Sequence, residues 1–257
     1  MAERTAAILA IGDELLSGRT RDINVHRLGG WLTERAVALK EARIVCDNVD
    51  LIATALNELR ERYDYVFTSG GIGPTHDDMT VDGVAQAFCV DVIENEAALG
   101  RIKAWYDKMD QELTPARRRM ARMPAGAVLI ANPVTGAPGV RIGNVYVMAG
   151  VPRIFAAMLD AVATEILPGE RIYARAVTAP GLPESAIADQ LREIQAALNG
   201  VAIGSYPIDG DEKGVTIVAR SANPETVEAA IETVAAAMRA HGVTPTPGDH
   251  ADGREAR

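Results

Sequence analysis

The residues best equipped for chemistry stand together in one run, Thr68-Ser69-Gly70-Gly71-Ile72-Gly73-Pro74-Thr75-His76-Asp77-Asp78-Met79-Thr80. Glycines let a backbone approach a phosphate closely, and successive amides of such a loop form an anion cradle. Ser69, Thr75 and Thr80 add hydroxyls. Asp77 and Asp78 offer the hard oxygens that magnesium takes. A glycine loop with two adjacent carboxylates suits a phosphorylated ligand bridged by a divalent metal. Spacing alone leaves a plain turn with solvated aspartates open as well. No Lys-Ser or Lys-Thr follows the glycines, so this is not a Walker loop, and it is not Gly-x-Gly-x-x-Gly either.

Two further segments carry suitable groups. Gly12-Asp13-Glu14-Leu15-Leu16-Ser17-Gly18, followed by Asp22 and Asn24, comes directly after the first apolar run. Asp13 facing Asp78 across a cleft could share a metal or position a water; equally, Asp13 or Glu14 could only cap the segment that follows. Asn132-Pro133-Val134-Thr135-Gly136-Ala137-Pro138-Gly139 is a rigid loop with exposed amides, or simply a connection between strands. Arg117, Arg118, Arg119 and Arg122 form the one basic cluster. Arg118 and Arg122 share a helix face and could hold a terminal phosphate or a carboxylate, with a solvated face as the alternative. His76 is the one histidine inside a motif. Cys46 and Cys89 have neither zinc spacing nor basic neighbours, and read as buried apolar fillers.

The elements that must position these groups follow from periodicity. Strands are expected at 5–11, 37–46 and 65–68, and helices at 23–36 and 51–59. Asp82 could cap a helix over 83–88. Strand and helix in alternation predict a parallel sheet covered by helices on both faces, and ligands of such sheets bind beyond the strands' carboxyl ends. Residues 95–123 read as helical. Strands are expected at 127–131, 139–142 and 144–149, and a helix over 152–167. Pro168-Gly169 breaks the chain. Beyond it lie strand 170–178, helix 184–198, strands 201–206 and 214–220, and helix 224–240. Lys213 and Gly214 fall in the expected hairpin turn. The domains expected are therefore 1–168, a small β-α-β-β-α α+β domain over 169–243, and a disordered tail over 244–257.

In their order, the three motifs resemble the MoaB/Mog molybdopterin-binding domain, in the variety found in the competence/damage-inducible protein A (CinA) family. Gly70-Gly71-Ile72-Gly73-Pro74-Thr75-His76-Asp77-Asp78 also resembles the N-terminal domain of eukaryotic FAD synthase. The resemblance covers about residues 4–167 and implies a three-layer α/β/α fold. It implies ligands of the molybdopterin or nucleotide-diphosphate kind. It also implies metal-dependent hydrolysis of a pyrophosphate bond, as in ADP-ribose or FAD. Under that reading Asp78, with Asp77 and Asp13, is catalytic, and Asp78 and Asp13 hold magnesium or another divalent cation. Ser69, Gly70, Gly71, Gly73, Thr75, Thr80, Asn132, Pro133 and Gly136 bind the ligand and its phosphates. The chain departs from the family at two places. Thr135 and Gly136 exchange the usual Gly-Thr order, and Ile154 replaces a glutamate. The second departure keeps binding of molybdopterin without catalysis as the alternative.

Composition narrows the partners. The 257 residues are 48% hydrophobic and 24% charged, with a formal charge of −9. That is ordinary globular composition with no cationic footprint for nucleic acid. Aromatics at 4% leave little for a base-stacking platform. The second domain's element order resembles a KH-type RNA module but lacks the Gly-x-x-Gly clamp and is acidic; self-association is the role expected of it. No run of about 18 apolar residues offers a membrane span. Two unpaired thiols suit a reducing compartment. The expectation is a cytoplasmic homo-oligomer that binds a phosphorylated small molecule, with neither nucleic acid nor membrane as partner.

Overall fold

The computed structural model describes residues 3–208 and 213–248. The chain divides into two compact units between Gly169 and Glu170.

The first unit opens with β1 (Arg4–Ile11), α1 (Asp13–Leu16), α2 (Asn24–Thr33), β2 (Val37–Val45), α3 (Val49–Arg62) and β3 (Tyr65–Ser69). It continues with α4 (Thr80–Phe88), β4 (Val92–Glu94), α5 (Glu96–Lys108), α6 (Pro115–Arg119) and β5 (Arg122–Pro124). It closes with β6 (Val128–Ile130), β7 (Gly139–Ile142), β8 (Val145–Met148) and α7 (Pro152–Ala161). The main sheet has the order β2-β1-β3-β8-β7-β6. The pairs β1–β2, β1–β3 and β3–β8 are parallel, and β7 runs antiparallel to both its neighbours.

A strand buried on both faces reads as one apolar run, and β1 is such a strand. Ala7, Leu9 and Ile11 face a core shared with Ile52, Leu56 and Val66. Ala6 and Ile8 face a second core with Leu28, Phe67 and Phe155. Each fully buried Leu, Ile or Phe side chain is worth roughly 1.5–3 kcal/mol, so the paired cores fix the three-layer arrangement. Successive crossovers from β1 to β2 and from β2 to β3 place the order reversal between β1 and β3. Ligands of open α/β sheets bind at such a reversal, beyond the carboxyl ends. The loops after Ile11 and Ser69 meet there.

The second unit is an antiparallel sheet of order β10-β11-β9-β12, built from β9 (Tyr173–Pro180), α8 (Glu184–Ala197), β10 (Ala202–Ile208), β11 (Gly214–Ser221), α9 (Pro224–Ala240) and β12 (Thr246–Pro247). Ile187, Leu191, Val234 and Met238 of its two helices pack on Val177, Val215 and Ile217.

Several expectations need correction. Asp82 does not cap α4, which starts at Thr80 after Met79; its carboxylate instead pairs with Arg122 across 40 residues at 2.7 Å. The expected helix over 95–123 is two helices and a strand. The break follows Met109, where Asp110 adopts φ 53, and α6 restarts with the Thr114 hydroxyl accepting from Arg117 N–H and Pro115 in its first turn. The helix expected over 152–167 ends at Ala161. Gly214 opens β11 rather than lying in a turn, and Cys89, expected to be buried, is exposed in a left-handed conformation at the end of α4. The expected disordered tail is ordered at its start, because Thr246 and Pro247 pair with the open edge of β9. The remainder of that tail, from residue 249, lies outside the described residues, as does most of the expected hairpin turn, 209–212.

Candidate functional site

The loop after β3 begins with two glycines whose conformation is dictated by packing. Gly70 adopts φ 109, and a Cβ there would lie 2.2 Å from the Ile11 carbonyl oxygen. Gly71 adopts φ 65, and a Cβ there would lie 2.2 Å from Thr80 Oγ1. The Thr80 hydroxyl donates to the Gly70 carbonyl at 2.9 Å, and Thr80 N–H donates to the Gly71 carbonyl at 3.0 Å. Thr80 is therefore the loop's anchor, buried rather than presented to a ligand.

Asp78 turns inward. Its carboxylate accepts from Gly73 N–H at 2.6 Å, from Thr75 N–H at 2.7 Å and from the Thr75 hydroxyl. A carboxylate of the protein thus already fills the anion cradle made by these amides. Ser69 is buried and accepts from Asn24 Nδ2 at 2.8 Å, while the same amide donates to the Gly150 carbonyl at 2.7 Å. Asn24 ties together the carboxyl ends of β3 and β8.

The acidic groups gather beside this loop around a residue that motif reading missed. Asp47, just beyond β2, accepts from Asp13 N–H at 3.0 Å. Burial pushes the Asp47 carboxyl above its usual range; the Asp13 N–H opposes this, and the charges of Asp13, Glu14 and Asp77 add to the rise. The Asp13 backbone is thus joined to Asp47, and the charges of Glu14 and Asp77 are near enough to act on it, whereas Asp78 faces its own loop. Asp77 is held below its usual range, first by the neighbouring Thr75 side chain and then by its own backbone N–H. Among the described residues no three His, Cys, Asp or Glu side chains close on one point as a cage for an ion. Magnesium rarely needs such a cage: it keeps several waters and takes one or two carboxylates plus substrate phosphates. A half-buried carboxyl raised first by burial, with like charges adding to the rise, fits a cation of that kind. The one signal for Asp47 in the sequence is an acid just past a strand's carboxyl end.

A narrow surface cleft adjoins the loop, its enclosed room about 20 Å³, on the order of one water. Gly71, Ile72, Gly73 and Asp78 line one side; Pro138 and Gly139 bring in the end of the third motif. Asn132, the head of that motif, is buried and braces its own loop. Its Oδ1 accepts from Val134 and Thr135 N–H, and its Nδ2 donates to Thr135 Oγ1 and the Ala137 carbonyl. Pro133 is exposed, and Gly136 adopts φ 73 against Trp105. None of these three is among the residues lining the cleft.

Comparison with known proteins accords with this architecture. The family model described as "Probable molybdopterin binding domain" matches residues 7–169. The chain belongs to that family. A second model, "FAD synthase, middle domain", matches residues 173–247, so the second unit is similar to that domain. A protein of Caldivirga maquilingensis is 35% identical over 218 residues, 82% of this chain and 83% of its own length. A CinA-like protein of Desulfosudis oleivorans is 33% identical over 77% of this chain and 51% of its own length. The crystal structure of the protein CinA from Thermoplasma acidophilum, of unknown function, is 37% identical with a TM-score of 0.59, covering 64% of this chain and 99% of that one.

In this CinA-like molybdopterin-binding-domain protein the arginine cluster is divided. Arg118 makes a two-pronged pair with Glu94 at 2.6 and 2.8 Å, and Arg122 pairs with Asp82. Arg117 donates to Gln111 Oε1 and the Glu112 carbonyl, with its guanidinium 4.1 Å from the Tyr106 ring centre. Arg118 and Arg122, the pair that shares a face in the sequence reading, are thus committed to carboxylates. Ile154, in the first turn of α7, packs against the second core. His76 is exposed. No helix among the described residues is long and apolar enough to cross a membrane.

Proposed function

We propose that this protein hydrolyses the pyrophosphate bond of a nucleotide diphosphate of the ADP-ribose or FAD kind with a divalent cation. The observation that carries the reading is the hydrogen bond of 3.0 Å from Asp13 N–H to Asp47, which joins the acidic loops after β1 and β2 beside the sheet's order reversal. Asp47 and Asp13 are the residues that would hold the cation, with Asp77 at its edge. When bound, such an ion neutralises diphosphate charge and makes an attacking water more acidic.

The chain's own groups supply the rest. Asp78 keeps the loop open in one conformation through Gly73 and Thr75. Ile72 and Val81 give the cleft an apolar side. Asn24 fixes Ser69 at the end of β3.

A second reading, molybdopterin binding with little or no turnover, draws support from Ile154, which puts an apolar side chain where the family has a glutamate, and from the commitment of Asp78 to its own loop. The same experiment separates the two. The purified chain is incubated with ADP-ribose or FAD and magnesium, cobalt or chelator, and the products are resolved by chromatography. Hydrolysis yields AMP with metal and none with chelator. Absence of product with every metal refutes the hydrolase reading and leaves the binding one.

A further inference from the structure

We infer that Arg119 is the phosphate anchor of the cleft, a role that rests on reading the cleft as the ligand's seat. The four arginines of the cluster differ in what they touch. Arg117, Arg118 and Arg122 are each spent on Gln111, Glu94 or Asp82. Arg119 lines the cleft, is half-buried, and has no hydrogen-bond or ion-pair partner among the described residues. A guanidinium held in a cleft wall without a carboxylate is prepared for a planar, two-pronged contact with a phosphate.

Charge within the cleft points the same way. Asp78 lines it as a carboxylate already saturated by three donors, so the glycine-loop side presents negative charge. Asp82 neutralises Arg122. Arg119 is then the one cation lining the cleft, among the described residues, that lacks a countercharge. An anionic group seats on the Arg119 side, beside the partly exposed Ile72 and Met120. A second feature supports a polar ligand near the sheet. Thr68, fully buried, pairs in register with Val147 of the cleft lining, and its hydroxyl has no partner among the described residues. The ligand class is therefore a phosphate ester.

The test is calorimetric titration of the full chain with inorganic pyrophosphate and with ADP-ribose, both in chelator, comparing wild type, Arg119→Gln, Arg119→Lys and Arg118→Gln. Arg119→Gln should weaken both probes about tenfold or more and flatten their dependence on salt. Arg119→Lys should recover part of the affinity, since it keeps the charge and loses the fork. Arg118→Gln should stay within about twofold, because Arg118 faces Glu94. Wild-type affinity in Arg119→Gln, or a wild type that binds neither probe, overturns the inference. AMP release with magnesium, measured in parallel, separates the two claims. Turnover with an unchanged Arg119→Gln affinity refutes the anchor and leaves the hydrolase reading. Arg119-dependent binding without turnover does the reverse.

Discussion

Asp47→Asn should stabilise the metal-free chain and lose that advantage in magnesium. In the wild-type chain this carboxyl is half-buried and surrounded by the charges of Asp13, Glu14 and Asp77. An asparagine keeps a carbonyl to accept the Asp13 N–H and removes one charge from the group. Each like-charge contact at a partly exposed site is worth a few tenths of a kcal/mol, so their relief stabilises the variant by roughly 1 kcal/mol without metal. That corresponds to about 2–4 °C for a unit of this size. A cation present at about tenfold its dissociation constant stabilises the wild type by about 1.4 kcal/mol, or about 3–6 °C. If the variant binds it about tenfold more weakly, its gain falls to about 0.4 kcal/mol. The variant therefore melts above the wild type in chelator, and the two converge in magnesium. Trp31 and Trp105 both lie in the first unit, so tryptophan fluorescence follows that unit's transition. Equal magnesium shifts in the two proteins, or a variant less stable than wild type in chelator, would refute the assignment of Asp47 to a cation.

Two further outcomes follow from the first unit. Asp64 accepts from Thr5 N–H, Thr5 Oγ1 and Arg4; burial alone would raise its carboxyl, yet these donors hold it below its usual range. With a depressed folded value its stabilisation is present above about pH 4 and lost as pH falls through the folded value. Asp64→Ala should cost roughly 1–2 kcal/mol near neutrality, given its partial exposure, and the gap to wild type should close in acid denaturant titrations; a gap independent of pH would exclude the charge as its source. Gly71→Val should lower the melting temperature of the ligand-free chain, by roughly 2 kcal/mol or more, because the side chain meets Thr80 Oγ1 and the φ of 65 is left-handed. An unchanged melt would show that this glycine serves ligand access alone.

The sheet was legible because Ala6–Ile11 of β1 and Tyr65–Phe67 of β3 are apolar runs and α3 repeats at helical spacing, patterns set by burial on one or two faces. The second unit's five main elements were legible for the same reason. What escaped were contacts made at long range. Nothing near Asp82 announces Arg122, and its early place in α4 made a cap the natural reading. Asp47 sits in no motif; it gains meaning only when β2 lies beside β1 and delivers it to Asp13. The glycine loop was visible as a cradle, but that Asp78 fills it depends on side-chain geometry which spacing does not encode. Asn132 reads as a ligand contact in sequence and proves to be the internal brace of its loop.

The most direct test of the central claim is the rate of AMP formation from ADP-ribose as magnesium is raised from chelated to saturating, in wild type and Asp47→Asn side by side. Cation-assisted hydrolysis at the acidic group beside the glycine loop predicts no AMP in chelator, a saturable rise in wild type, and a curve displaced to about tenfold higher magnesium in the variant. AMP formed equally well in chelator, or identical curves for the two proteins, would contradict it.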